Sequence, residues 1–79
     1  MQKSVHTGSY KVLRERLVSA RHAAGLTQIE LAKKLGRSQS FVAKYEGGER
    51  RIDLVEFLEI AEALEMNVSR AIRAIKAAT

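Results

Sequence analysis

The sequence TQIELAKKLGRSQSFVAKYEGGERR, residues 27–51, decides the fold of this chain. Thr27 and Glu30 can form a capping box, and apolar residues three and four apart continue a helix from it until Gly36 ends it. A second helix is predicted from Ser38, which can cap it, to about Glu46. The turn between them is so short that the two helices must cross at a steep angle. The sequence therefore predicts two short helices packed across a tight turn.

Three further helices are predicted around this pair, which makes the chain all-α with five helices. The first runs from about Tyr10 to Ala24, after a flexible tail at residues 1–9, and the domain spans residues 10–79. Asp53, with Glu56 three residues on, caps the fourth helix, and Asn67 caps the fifth. Glu56, Glu59 and Glu62 are predicted on the solvated face of the fourth helix. The predicted inner positions of these three helices are Tyr10, Leu13, Leu17, Ala20 and Ala24; Leu54, Phe57, Leu58, Ala61 and Leu64, with Ile60 beside them; and Ala71, Ile72 and Ile75.

Composition excludes several classes of protein. The 79 residues suffice for one small core, and the absence of Cys rules out a disulfide framework or a thiolate zinc site. Apolar runs are too short to span a membrane, and the absence of Cys fits a cytoplasmic location. His6 and His22 have no partners at catalytic or metal-binding spacing. We therefore predict no enzyme activity, no catalytic residue, no metal site and no cofactor.

The net charge of +5 is unevenly distributed. Basic residues dominate residues 1–52, whereas residues 53–67 carry five acids and no base. This pattern suggests one side of the protein that faces a polyanion and another that faces away from it. The alternative is ordinary solubility charge, and composition alone does not choose between the two.

The outward face of the third helix favours the interpretation that the protein binds a polyanion. Val42 and Tyr45 fall on one side of it, and Gln39, Ser40, Ala43 and Lys44 on the other, with Phe41 at the border. Amide, hydroxyl and ammonium groups can bind base edges in the major groove of DNA. The structural alternative is a helix corner of the kind that many helical domains contain.

The segments TQIELAKKLG and SQSFVAKYEGGER resemble the helix-turn-helix of the phage-repressor and Cro-type family, also called the xenobiotic-response-element (XRE) type. The resemblance covers roughly residues 10–76. It implies a five-helix, lambda-repressor-like DNA-binding domain. By position it implies base contacts from Gln39, Ser40, Phe41 and Lys44. It also implies phosphate contacts from Gln28, Arg37, Ser38, Arg50 and Arg51.

Each of these assignments has a structural alternative. Phe41 could belong to the core, Gln28 could be only a solvated first-turn residue, and Arg37 and Lys44 could be ordinary surface charges. Arg14 resembles an arginine that, in this family, often pairs with an acid near the end of the third helix, which here is Glu46.

The chain departs from the family pattern at two places. Glu65 occupies the place where the fourth helix usually ends in glycine, so its turn is expected to form differently or to run longer. The third helix ends in two glycines, which removes one possible phosphate contact.

The resemblance implies a transcriptional regulator that binds double-stranded DNA. One such module makes few base contacts, so a homodimer on a two-fold operator is expected. Helix 5 is the predicted dimer surface, with Val55 and Ile60 as unexplained apolar positions. The alternative is an antitoxin-like or bridging module that binds a protein partner, such as a toxin.

Overall fold

The computed structural model describes residues 8–79, which form five helices and no strand. Their bounds are α1 Gly8–Ala23, α2 Gln28–Leu35, α3 Gln39–Glu46, α4 Leu54–Ala63 and α5 Val68–Ala77. The predicted all-α, five-helix architecture is confirmed. Helix α1 begins two residues before the predicted start, while the rest of the expected tail, residues 1–7, lies outside the described residues. Within residues 8–79 no helix is long and apolar enough to cross a membrane.

The predicted caps of α2 and α3 are present. The Thr27 hydroxyl accepts a hydrogen bond from the backbone of Glu30 at 3.0 Å, and the Glu30 carboxylate accepts one from the backbone of Thr27 at 2.8 Å. The Ser38 hydroxyl accepts from the backbone N–H of Phe41 at 3.2 Å. Because these side chains satisfy donors that a helix leaves unpaired, both helices start at defined residues.

The core lies where α2 and α3 cross beneath α1 and α4. Leu17, Leu31, Val42, Tyr45 and Ile60 are its most deeply buried large side chains. The predicted stripe of α1 is wrong at its end, because Ala24 is exposed and lies beyond the helix. The last buried residue of α1 is instead an arginine, Arg21, which is only 9% exposed.

The inner face of α4 is narrower than predicted. Phe57, Ile60 and Ala61 face the core, whereas Leu54 and Leu58 are 69% and 46% exposed. The prediction that these two leucines are buried is wrong. The core covers only a narrow stripe of α4, and both leucines lie outside that stripe. The protein is thus left with exposed leucines at one end of α4.

Helices α1 to α4 all end in the same way. At each end one residue adopts a positive φ, and the next backbone N–H donates to the carbonyl five residues before it at 2.9–3.1 Å. The positive-φ residues are Gly25, Gly36, Gly48 and Glu65. The expectation of a different or longer turn at Glu65 is therefore wrong, because Glu65 takes a φ of 55° and closes the turn as a glycine would.

We expect Glu65→Gly to stabilise the protein. A side chain in the left-handed region is crowded against its own backbone, and glycine avoids that crowding. The free energy of unfolding should rise by about 1 kcal/mol, measured by urea denaturation.

The matched control is Glu59→Gly, at an exposed position inside α4. There glycine only weakens a regular helix and should lower stability by about 1 kcal/mol. Equal destabilisation by both substitutions would contradict the account of the α4 turn.

Candidate nucleic-acid interface

The outward face of α3 is polar and exposed. Gln39, Ser40 and Lys44 are exposed, while Val42 and Tyr45 on the opposite side are buried. The helix therefore holds its amide, hydroxyl and ammonium groups toward solvent on a surface fixed by the core. Its geometry suits the predicted base contacts, which stay predictions.

The amide groups of Gln39 and Gln28 are joined to each other. Gln39 Nε2 donates to Gln28 Oε1 at 2.8 Å, and Gln28 Nε2 donates to Glu46 Oε1 at 2.9 Å. The chain of hydrogen bonds links the start of α3 to the start of α2 and to the end of α3. Gln28 thus positions another side chain, and its phosphate contact remains a prediction.

Glu46, which ends this chain of hydrogen bonds, forms an ion pair with Arg21. Arg21 Nε donates to Glu46 Oε2 at 2.8 Å, and Arg21 Nη2 donates to Glu46 Oε1 at 3.0 Å. Arg21 Nη1 also donates to the carbonyl of Leu26 at 2.8 Å. The side chains of Arg21 and Glu46 are 11% and 6% exposed. The hydrogen bonds to Glu46 raise the pKa of Arg21, although burial opposes them.

The predicted pairing of Arg14 with the carboxylate of Glu46 is therefore wrong. Arg14 Nη1 donates instead to the backbone carbonyl of Glu46 at 3.2 Å. Arg21 lies two helical turns further along α1, and it is the residue that reaches the carboxylate. Arg14 packs over Gly48, where an added Cβ would lie 3.1 Å from Arg14 Nη1. This contact and the φ of 83° explain why the second glycine after α3 is needed.

Phe41 packs in the core of the protein. Its residue is 8% exposed, and its ring meets Tyr45 edge to face at a centroid distance of 5.3 Å. The guanidinium groups of Arg37 and Arg50 cover the ring at 4.3 and 4.9 Å. This arrangement favours the structural alternative for Phe41, because neighbouring side chains cover the ring on several sides, and its base contact stays a prediction.

Arg37 and Arg50 converge on one carboxylate, that of Glu56. Arg50 donates to both of its oxygens at 3.0 Å, and Arg37 donates to Oε2 at 3.2 Å. Glu56 is 9% exposed, so its predicted place on the solvated face of α4 is wrong. The carboxylate also accepts from the backbone of Asp53 and so completes the capping box of α4. Glu56 thus holds two of the three predicted phosphate-binding arginines, Arg37 and Arg50, at the turns that flank α3.

The hydrogen bonds of Arg50 and of the Asp53 backbone lower the pKa of Glu56 to about 2. A carboxylate whose pKa is lower when folded stabilises the protein above its unfolded pKa. That stabilisation should be lost as the pH falls from about 4.5 to about 2. The measurement is urea unfolding between pH 7 and pH 2.

Glu56→Gln provides the comparison, because other carboxylates also titrate in this range. The variant should be less stable by about 1–2 kcal/mol at pH 7, a value limited by the partial exposure of both arginines. The difference between wild type and variant should vanish near pH 2. A difference that stays constant with pH would refute the role of this carboxylate.

The remaining predicted phosphate contacts lie beside these groups. Ser38 is exposed at the start of α3, where its hydroxyl caps the helix. Arg51 is exposed and its guanidinium lies 5.2 Å from the ring centroid of Tyr10. Both stay predictions as phosphate contacts.

Two residues of the interface were missed or misplaced by sequence reasoning, namely Arg21 and Glu56. One signal for Arg21 exists, because positions 10, 14, 17 and 21 of α1 form a stripe of spacing four, three and four that includes two arginines. For Glu56 the capping box predicted only the backbone contact. Within residues 8–79 no cluster of three or more acidic or histidine side chains could hold a metal ion.

A five-helix domain with a helix-turn-helix at α2 and α3 is the class that these features define. A family model described as a helix-turn-helix domain matches residues 12–73. A chain described as an XRE-family like protein from Pseudomonas syringae pv. tomato has a similar structure, with a TM-score of 0.85 and 41% identity over 95% of this chain and 92% of that one. The clp gene regulator ClgR of C. glutamicum shares the fold alone, with a TM-score of 0.74 and 22% identity over 86% and 87% of the two chains.

A curated relative is the cryptic phage CTXphi transcriptional repressor RstR of Vibrio cholerae. It is 36% identical over 56 residues, which are 71% of this chain. The chain spans about half the length of that relative, 50%. Together the family model and the two more similar relatives show the family. The chain belongs to the XRE and Cro-type helix-turn-helix family.

Proposed function

We propose that this protein is a cytoplasmic transcriptional regulator that binds specific sequences of double-stranded DNA through α3. The observation that carries the proposal is the exposed face of α3, where Gln39, Ser40 and Lys44 stand on a helix that the core holds rigidly. Amide and ammonium groups at such positions can bind adenine and guanine edges in the major groove. The transcriptional repressor function named for the Vibrio cholerae relative supports the same conclusion.

Arg37 and Arg50 provide the proposed contacts to the DNA backbone. Their side chains remain 37% and 40% exposed although both bind Glu56. The ring of Phe41 and the carboxylate of Glu56 limit their motion, so their guanidinium groups are in place before DNA arrives. Phosphate contacts of this kind set the position of the recognition helix on the duplex.

A homodimer is the proposed binding species, because one recognition helix makes few base contacts. A patch of exposed apolar side chains supports it, and we call this the α4–α5 patch: Leu54, Val55, Leu58 and Ile72. A groove of about 210 Å³ lies beside it, between the start of α4 and α5. Val55 fits the dimer surface expected from the sequence, whereas Ile60 is 1% exposed and belongs to the core.

Charges around the α4–α5 patch support self-association. Exposed Glu59 and Glu62 continue α4, and exposed Arg73 and Lys76 lie on α5. In a two-fold dimer the same patch meets its own copy, so α4 of one subunit can lie against α5 of the other. Acidic and basic groups would then face each other around an apolar centre.

Selection of bound sequences from a random pool of duplex DNA tests the proposal. We expect an enriched site with two-fold symmetry and half-sites about 10 base pairs apart, or a multiple of one DNA turn. An enriched single half-site would contradict the dimer, and a pool without any enriched sequence would contradict sequence-specific binding.

The phosphate role of Arg50 predicts a change in salt dependence. Arg50→Ala should weaken binding to all sequences alike, because phosphates carry no base information. The slope of log K against log salt should become less steep by about one unit, measured by fluorescence anisotropy on cognate and unrelated duplexes.

Arg70→Ala is the control for Arg50→Ala. Arg70 is exposed on α5 and is not among the proposed DNA contacts. Its removal changes the net charge by the same amount and should leave the slope nearly unchanged. Equal slopes for the two variants would mean that net charge, and not a contact of Arg50, sets the salt dependence.

A further inference from the structure

We propose that Arg37, Arg50 and Glu56 act as one site that binds a single phosphate of the DNA backbone, because the carboxylate cancels one of the two positive charges. The inference rests on the proposed function and specifies how its backbone contacts are made. Two separate arginines would bind two phosphates, whereas this cluster would bind one. Glu56 would thereby limit the attraction of the protein to DNA of unrelated sequence.

The two guanidinium groups lie close together, although one arginine precedes α3 and the other follows it. Arg37 Nη2 and Arg50 Nη2 donate to the same atom, Glu56 Oε2, at 3.2 and 3.0 Å. The two nitrogen atoms are therefore no further apart than two hydrogen-bond lengths. Both groups also lie over the ring of Phe41, at 4.3 and 4.9 Å from its centroid. One anion can thus reach both guanidinium groups at the same time.

The hydrogen-bonded cluster carries one net positive charge at neutral pH. Glu56 is 9% exposed, and its carboxylate accepts hydrogen bonds from Arg50, from the backbone of Asp53 and from Arg37. These contacts keep the carboxylate ionised, because they lower its pKa to about 2. Two guanidinium groups and one carboxylate leave a single positive charge, which matches the single negative charge of a backbone phosphate.

Both arginines keep donors that a phosphate can use. A guanidinium donates through Nε, Nη1 and Nη2. Among the described residues, Arg37 donates through Nη2 alone, and Arg50 donates through Nη1 and Nη2 to Glu56 and to the carbonyl of Arg51. The Nε–H of each group therefore stays available for a bidentate contact. The two side chains are 37% and 40% exposed, so an anion can approach them from solvent.

This charge balance predicts that the effects of the two arginines are not additive. Loss of either one leaves the other paired with Glu56, and such a pair has no net charge for a phosphate. The slope of log K against log salt falls by about 0.9 for each phosphate that is no longer neutralised. Arg37→Ala, Arg50→Ala and the double variant should therefore each flatten the slope by about one unit. Two independent contacts would make the double variant lose about two units.

The same balance predicts that removal of the carboxylate strengthens binding. Glu56→Gln leaves two positive charges in the cluster, so the two arginines can bind two phosphates. The slope should become steeper by about one unit, and the affinity for an unrelated duplex should rise by roughly three- to tenfold at low salt. If Glu56 only supports folding, the variant will bind unrelated DNA no more tightly than the wild type does.

Glu15→Gln is the matched control for Glu56→Gln. Glu15 is an exposed carboxylate on α1 and does not belong to the cluster. Its substitution changes the net charge by the same amount and should leave the slope nearly unchanged. Arg70→Ala is again the control for the arginine variants.

Fluorescence anisotropy of the full chain, over a series of salt concentrations, measures binding to the selected operator and to one unrelated duplex. Circular dichroism shows which variants fold. The arginine variants and Glu56→Gln each decide the test alone if the other does not fold. We expect slopes flatter by about one unit for all three arginine variants and steeper by about one unit for Glu56→Gln.

A double arginine variant that loses about two units would overturn the inference, as would arginine variants with the wild-type slope. A slope for Glu56→Gln that is no steeper than that of the wild type would also overturn it. These results leave the proposed function standing as long as the wild type prefers its selected operator. If the wild type binds the operator and the unrelated duplex equally, the proposed function itself fails.

Discussion

Arg21→Ala is expected to lower the free energy of unfolding by about 3–5 kcal/mol, because it leaves the carboxylate of Glu46 buried without its charged partner. The side chain of Glu46 is only 6% exposed, so water cannot easily replace the guanidinium. The total free energy of unfolding of such a small domain is low, so this loss is a large part of it. A large fraction of the variant should therefore be unfolded at 37 °C, as measured by urea denaturation and thermal melting.

The double variant Arg21→Met with Glu46→Leu separates charge from packing. Replacing a buried ion pair by apolar side chains of similar size is often neutral or stabilising. The double variant should therefore recover most of the stability lost in Arg21→Ala. If it is as unstable as the single variant, the pair matters for packing or for the bond to Leu26, and not for balanced charge.

The second large effect is expected from Ile72→Glu in the α4–α5 patch. A carboxylate in the α4–α5 patch would lose its hydration in an apolar contact without gaining a partner, and this cost would oppose association. Loss of the dimer should weaken operator binding by roughly 10²- to 10⁴-fold, since two linked half-sites bind with high effective concentration. Analytical ultracentrifugation measures the association state, and titration of the selected operator measures the affinity.

Ser19→Glu is the control for Ile72→Glu, because Ser19 is exposed on α1 and lies outside the patch. It adds the same charge and should leave both the dimer and operator affinity nearly unchanged. If Ile72→Glu still forms dimers with full affinity, the dimer surface lies elsewhere on the molecule.

Local chemistry explains why the helices could be predicted from the sequence. Thr27, Ser38 and Asp53 cap α2, α3 and α4 as expected, because each cap binds a backbone group only three residues away. The glycines after α1 and α2 end those helices for an equally local reason. The exposed positions Gln39 and Lys44 followed from helical periodicity once Val42 and Tyr45 were assigned to the core.

The candidate site was harder to predict because long side chains choose their partners in three dimensions. Arg14 and Arg21 lie on the same face of α1, and only the position of α3 decides which one reaches the carboxylate of Glu46. Phe41 lay at the border of its helix, and the two arginines that cover it come from the turns on either side of α3. No spacing within one helix contains this information.

Helix periodicity and capping act within a few residues, so the five helices, the starts of α2 to α5 and the polar face of α3 could be predicted from the sequence. The hydrogen-bonded chain from Arg21 through Glu46 and Gln28 to Gln39 could not be predicted in this way, because its members come from three different helices. The exposure of Leu54 and Leu58 was equally unpredictable. The sequence shows which residues of α4 are apolar, but the width of the face that is buried depends on how the neighbouring helices pack against it.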